Sequence, residues 1–245
     1  MDILLIIIIA VAGPVIGSFI GVIRKPTDIF VNNFLSFAAG IMLAISFLQL
    51  IPQSIRISSL WLCCLGIVIG SLFMYALDKV VPHTDPADID VRSGRFRKTA
   101  IYLIAGIALH HFPEGAAIAL GTVTGYETSL AIVLAIAVHD IPEGICTSAP
   151  YFYITQSRLK SFLVSSSTAI PTILGYLVAH FMFEKISFEI IGFVVASTAG
   201  LMVYISADEL IPISCRKSSS SENHSTIFSL IAGVVLVVLL GAISK

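Results

Sequence analysis

Apolar residues run along this chain in long, nearly unbroken stretches, with short polar segments between them. Eight such stretches stand out: roughly 3–23, 33–53, 59–81, 100–122, 127–150, 160–182, 188–212 and 226–243. A helix of about 20 apolar residues rises far enough to cross the hydrocarbon of a bilayer. The pattern therefore predicts an all-α polytopic membrane protein with eight transmembrane helices, forming one domain over residues 1–245. The most polar connections, 82–98 and the serine-rich 214–225, have no apolar set to bury and read as solvated loops.

Composition agrees with a lipid environment. Of the 245 residues, 57% are hydrophobic and 12% charged, whereas a soluble domain carries about 25% charged residues. So few charges cannot cover a globular surface of this size, and a bilayer removes the need. A net charge of −1 gives no electrostatic reason to bind nucleic acid. The four cysteines, Cys63, Cys64, Cys146 and Cys215, form no C-x-x-C pair and read as small apolar core residues. Met1 and Asp2 lead into apolar residues without a basic segment, so the start reads as a first span rather than a cleaved signal.

Charge also orients the spans. With the N-terminus outside, the inward-facing segments hold Arg24, Lys25, Lys79, Arg92, Arg95, Arg97, Lys98, Arg158, Lys160, Arg216 and Lys217, which are 11 of the 14 basic residues. The outward segments hold Arg56, Lys185 and Lys245. Cytoplasmic loops carry the basic excess in membrane proteins. We therefore expect an integral protein of the plasma (inner) membrane with both termini extracytoplasmic.

None of these basic residues lies at mid-span, but acids do: Glu114 in the fourth span, Asp140 and Glu143 in the fifth. Asp208 and Glu209 lie in the inner half of the seventh. A charge at bilayer depth costs about 2.5–3.5 kcal/mol on insertion scales and marks a functional site by default. Carboxylates buried without Lys or Arg need protons or a bound cation.

The chemistry is concentrated in a pattern that occurs twice. His110-His111-Phe112-Pro113-Glu114-Gly115 and His139-Asp140-Ile141-Pro142-Glu143-Gly144 align position by position, with His110 matching His139 and Glu114 matching Glu143. In each, the first His and the Glu are i and i+4 on one helix face, and the second residue and the Glu are i and i+3. Packed together, the two helices would make one site from His110, His139, Glu114 and Glu143. A second would use His111, Asp140 and the same two glutamates. Each proline removes a helix hydrogen bond and is expected to break its helix near the site, as in transporter binding sites. Imidazole with carboxylate suits zinc, iron, manganese, cobalt or cadmium rather than alkali ions. The residues ask for no prosthetic group, and the metal enters as the transported substrate. The alternative from another class is a zinc-dependent intramembrane hydrolase, but there is no H-E-x-x-H and no base distinct from the ligands. Haem is a poorer fit, because a glutamate follows one helical turn after the first histidine of each motif.

With these motifs the chain resembles the ZIP (Zrt-, Irt-like protein) family of divalent metal transporters, nearest to its bacterial zinc-uptake branch. The likeness includes FAAGIMLAISFLQLIPQS at 37–54, HHFPEG at 110–115, HDIPEG at 139–144 and AGLMVYISADELIP at 199–212. It implies helices in a 3 + 2 + 3 plan with inverted repeats, metal entry into the cytoplasm, no enzymatic activity and a homodimer in the bilayer. It also implies a first metal site of His110, Glu114, His139 and Glu143, to which Met42 contributes, and a second of His111, Glu114, Asp140 and Glu143. Two departures stand out: His111 replaces a common Asn, and Ile170 before Pro171 replaces a common Glu.

Several further residues are candidates of lower rank. Glu209, with Asp208, fits an exit path for the metal. Ser46, Gln49 and Gln53 either line the pathway or bond neighbouring helices. His180 reads as a membrane-interface residue. His83, Asp85, Asp88 and Asp90 read as a solvated acidic loop that could alternatively capture released metal.

Overall fold

The computed structural model describes residues 2–80, 94–121, 126–182, 187–215 and 220–243, which are almost wholly helical with no strand among them. The helices described there follow one another as α1 (Ile3–Ile23), α2 (Asp28–Ile45), α3 (Ile51–Ile57), α4 (Leu60–Val80), α5 (Gly94–Gly121), α6 (Tyr126–Thr155), α7 (Arg158–Ser166), α8 (Ala169–Met182), α9 (Phe188–Ile205), α10 (Ile211–Ser214) and α11 (Ser220–Ile243). Two π-helical segments, Ser46–Leu50 and Ser206–Leu210, join α2 to α3 and α9 to α10, so the described helices group into eight rods. Among the described residues five stretches are long and apolar enough on their own to cross a membrane: Ile3–Ile23, Ile29–Ile57, Leu60–Leu77, Arg158–Met182 and Phe188–Ser214.

The surface confirms the environment. Trp61 is 82% exposed and Phe181 75%, together with Phe19, Leu65, Leu72, Phe73 and Leu163. By contrast His110, His111, Glu114, Asp140, Glu143 and Glu209 are buried, along with many hydroxyls. Water would reverse this distribution; lipid favours it. The protein is an all-α integral membrane protein.

Close approaches of backbone set which rods pair. A Cβ added at Gly17 of α1 would lie 2.0 Å from the Ile141 carbonyl oxygen of α6, and one at Gly115 of α5 would lie 1.9 Å from that of Thr172 in α8. Gly40 of α2 meets Leu230 of α11 in the same way, and Gly70 of α4 meets Ser197 of α9. Small residues at such crossings let helices gain dispersion energy where no hydrophobic effect drives them together. Four tight pairs result: α1 with α6, α5 with α8, α2 with α11 and α4 with α9. Exchanging the first three rods for the last three, and α5 for α6, maps this pairing onto itself, as a 3 + 2 + 3 plan requires.

Boundaries and irregularities depart from the sequence reading. Helix α5 begins at Gly94, inside the segment 82–98 expected to be a loop, because Arg and Lys are good helix formers and a helix need not stop at the hydrocarbon edge. Helix α11 likewise begins at Ser220, inside the expected loop 214–225. The prolines expected to break the two motif helices do not: α5 and α6 run through Pro113 and Pro142. The departures from α geometry fall instead just before Pro52 and Pro212, where the Ile51 and Ile211 N–H groups donate to the carbonyls of Ser46 and Ser206. Widening the helix there relieves the clash of each proline ring with the preceding turn. All four cysteines are free, and Cys64 and Cys215 are exposed rather than in the core; on a lipid-facing helix surface an apolar side chain loses nothing by exposure.

Candidate metal centre

The site lies where α5 crosses α6. Helix α5 supplies His110, His111 and Glu114, and α6 supplies Asp140 and Glu143; none of the five is more than 5% exposed. The i, i+3 and i+4 spacing sets each helix's donors on one side, and the crossing brings the two sets together. His110 Nε2 lies 2.9 Å and His111 Nε2 3.2 Å from the same Glu143 oxygen, Oε2. His111 Nε2 is also 3.8 Å from Asp140 Oδ1 and 3.9 Å from Glu114 Oε2, and His110 Nε2 is 4.0 Å from Glu114 Oε1. Two triads, His110–His111–Glu114 and His111–Asp140–Glu143, each present ligand atoms within 4.8 Å of one another, a spacing that can hold a metal ion. Glu143 Oε1 and His110 Nδ1 are buried and have no hydrogen-bond partner among the described residues. No Lys or Arg is among the buried described residues.

The surroundings hold these groups in place. His111 Nδ1 donates to the carbonyl of Thr168, at 2.8 Å, in the turn between α7 and α8. One turn beyond Glu143, Thr147 bonds the carbonyls of Glu143 and Gly144. Its hydroxyl also meets that of Ser165, which in turn meets Ser18 at 2.7 Å and donates to the Gly144 carbonyl at 3.2 Å. These hydroxyls join α1, α6 and α7. Cys146 Sγ donates to the Phe34 carbonyl at 3.0 Å and so ties α6 to α2.

The structure brings together five of the eight expected residues, His110, His111, Glu114, Asp140 and Glu143. The side chain of His139 lies outside the described part, although its backbone is within α6. Met42 is fully buried in an apolar cluster that includes Ile107 and Cys146, each one turn from the site residues. Glu209 is 8% exposed in the second π segment and belongs to neither triad, while Asp208 beside it is exposed. His83, Asp85, Asp88 and Asp90 lie outside the described residues. Ser46 bonds its own helix at the Met42 carbonyl instead of a neighbour. His180 is exposed and stacks on Tyr176.

Among the described residues the two triads share a histidine, His111, because Glu114 of α5 and Asp140 of α6 both approach that imidazole's Nε2. Both glutamates also lie near both imidazoles, Glu143 at 2.9 and 3.2 Å and Glu114 at 4.0 and 3.9 Å. Ile170, in place of a carboxylate, is 54% exposed and faces away from the interior; the same turn contributes the Thr168 carbonyl. Sequence reasoning missed Thr168, Ser165 and Thr147. The signal was present in the run Ser165-Ser166-Ser167-Thr168, which interrupts an apolar span with hydroxyls.

Comparison with known proteins gives a consistent result. The model of the family described as ZIP Zinc transporter matches residues 83–241. A zinc transporter ZupT from Chlorobium luteolum is 34% identical over 256 residues, covering 96% of this chain and 95% of the relative. One from Enterobacter sp. (strain 638) is 36% identical over 219 residues, with coverage of 86% and 85%. One from Escherichia coli is 35% identical over 220 residues, with the same coverage. A family of transporters leaves no place for the hydrolase alternative. The chain belongs to the ZIP zinc transporter family.

Proposed function

We propose that this chain carries divalent transition-metal ions, zinc foremost, across the membrane towards the cytoplasm, through the site between α5 and α6. The observation that supports this most is the convergence of two imidazoles and three carboxylates in the interior with no buried Lys or Arg among the described residues. A carbonyl oxygen only accepts hydrogen bonds, so His111 Nδ1 carries the hydrogen and Nε2 turns its other side to Glu143. Acceptors that meet in this way need protons or a cation between them. Protons and a metal ion are then alternatives, so loading with zinc releases protons.

His110, His111, Glu114, Asp140 and Glu143 are the ligands in this reading, joined by His139. Met42 borders the site, and Glu209 receives the ion on the exit side. All eight rods cross the bilayer as one transporter unit of the inner membrane, with both termini outside and a second copy alongside. Backbone contacts at Gly17 and Gly115 tie α6 to α1 and α5 to α8. The pair that holds the metal therefore moves together with α1 and α7–α8, not alone.

The test is metal accumulation in proteoliposomes that contain the purified full chain, measured over a panel of divalent ions. Zinc should accumulate, and Glu143→Ala should abolish it. Equal accumulation by the variant, or none by the unaltered chain, overturns the reading.

A further inference from the structure

Among the described site residues His111 alone belongs to both triads. Its Nδ1 is committed to the Thr168 carbonyl at 2.8 Å, so that nitrogen cannot bind a metal. Its Nε2 has a single lone pair, which points into the space bounded by Glu143 Oε2 at 3.2 Å, Asp140 Oδ1 at 3.8 Å and Glu114 Oε2 at 3.9 Å. A neutral imidazole nitrogen binds one metal ion at a time, and the hydrogen bond at the far nitrogen fixes which one is available. A carboxylate can bridge two ions; this imidazole cannot.

We propose that the two triads are mutually exclusive positions for one ion, with His111 as the ligand common to both. The chain then holds a single zinc that changes partners, from His110 and Glu114 to Asp140 and Glu143, without leaving His111. Glu143 Oε2 lies within hydrogen-bond distance of both imidazoles and is placed to follow the ion from one position to the other. The Thr168 carbonyl is a positioning group in this scheme. It holds the imidazole plane and tautomer, and it comes from the turn between α7 and α8, whose Ile170 points outward and supplies no ligand. The inference rests on the site assignment made above and deepens it to a stoichiometry and an order of ligand exchange.

The test is equilibrium dialysis of the purified full chain in nanodiscs against zinc, with metal counted by mass spectrometry. One tightly held zinc per chain is expected in the unaltered protein, in Glu114→Gln and in Asp140→Asn, because each carboxylate variant disables one position and leaves the other. His111→Ala removes the common ligand and should weaken zinc binding at least tenfold more than either carboxylate variant. His111→Gln, of nearly equal volume, should weaken it similarly while eluting as a single species, which separates ligation from folding. Nitrogen NMR of histidine-labelled protein should show His111 protonated at Nδ1 both without and with zinc. Two tight ions per chain overturn the proposal. So does a His111→Ala affinity no lower than that of Asp140→Asn, or a hydrogen on Nε2 in the zinc-bound protein. Failure of zinc accumulation in vesicles, with one zinc still bound, overturns the transport reading instead and leaves this inference standing.

Discussion

The eight rods fall into two groups that solve the problem of packing in lipid differently. One group comprises α1, α5, α6 and α7–α8. It carries the metal centre and the buried Ser18, Thr147 and Ser165 hydroxyls, and its helices continue without interruption through their prolines. The other comprises α2–α3, α4, α9–α10 and α11. Its interior is an apolar cluster built around Met42, Met74, Met202 and Ile205, and its backbone is irregular at both π segments. Within each group helices meet backbone to backbone at glycines. Between the groups, substantial packing among the described residues is limited to α2 against α6 and α5 against α9. At the second of these Gly106 of α5 faces side chains rather than backbone: an added Cβ would meet Ile205 Cδ1 of α9 at 2.8 Å and Met74 Cε of α4 at 3.3 Å, both ends of flexible side chains. The lesson is that each group is internally rigid, and that the seam between them is the part that can yield.

The largest effect expected at this contrast is on the site group. Glu143→Ala should reduce zinc uptake in cells by at least about tenfold, since it deletes the oxygen that both histidines approach. Alanine in the π segment of the other group, Ser206→Ala, loses only a bond within its own helix and should leave most uptake intact. Similar losses in both would dissolve the distinction.

Next come the glycines. An added methyl at Gly17 would sit 2.0 Å from a backbone oxygen, so α1 and α6 must separate. Overpacking of this kind costs about 1–3 kcal/mol, more than the roughly 1 kcal/mol gained by replacing a helical Gly with Ala. Gly17→Ala should therefore lower the melting temperature of the purified protein. Gly106→Ala faces yielding side chains and should be near neutral, and Gly241→Ala, with nothing within 4 Å, neutral or slightly stabilising. A ranking with Gly106 as the most sensitive position would place rigidity at the seam instead.

Acid should act on zinc binding through the site group. Metal binding requires deprotonated carboxylates and neutral imidazoles, so protons compete as the pH falls, and zinc affinity should drop by about tenfold or more between about pH 7.5 and 5.5. Titration calorimetry at a series of pH values measures this, and constant affinity over that range contradicts ligation by these groups. A modest effect is expected at Ser165→Ala, which breaks the hydroxyl links of α7 to α1 and α6. Hydrogen bonds between membrane helices contribute about 0.6 kcal/mol on average, so a loss of about 1 kcal/mol in stability is expected in the same melting assay.

Much of this was legible without coordinates. The spans follow from apolar runs, the two motifs from their identity at four of the six positions of H-[HD]-[FI]-P-E-G, and the need for a cation from acids that have no basic partner in the spans. The two π segments were less visible. SFLQLIP at 46–52 and SADELIP at 206–212 stand far apart in the chain and share Ser, Leu, Ile and Pro. A proline alone does not say whether a helix will kink, widen or run on, and here Pro113 and Pro52 sit in helices that respond differently. Neighbouring rods decide which.

The linear order of residues determined the membrane class, the motif pair and the identity of the candidate ligands, because apolar runs of about 20 residues and i, i+4 spacing are properties of one helix at a time. Tertiary structure decided that His111 is shared, that Thr168 holds it, that Ile170 turns outward and that Glu209 stands apart. Those facts depend on how rods cross. His111 and Thr168 are 57 residues apart in the chain, and the backbone contacts of Gly115 with Thr172 and of Gly175 with Phe112 bring their helices close enough to bond.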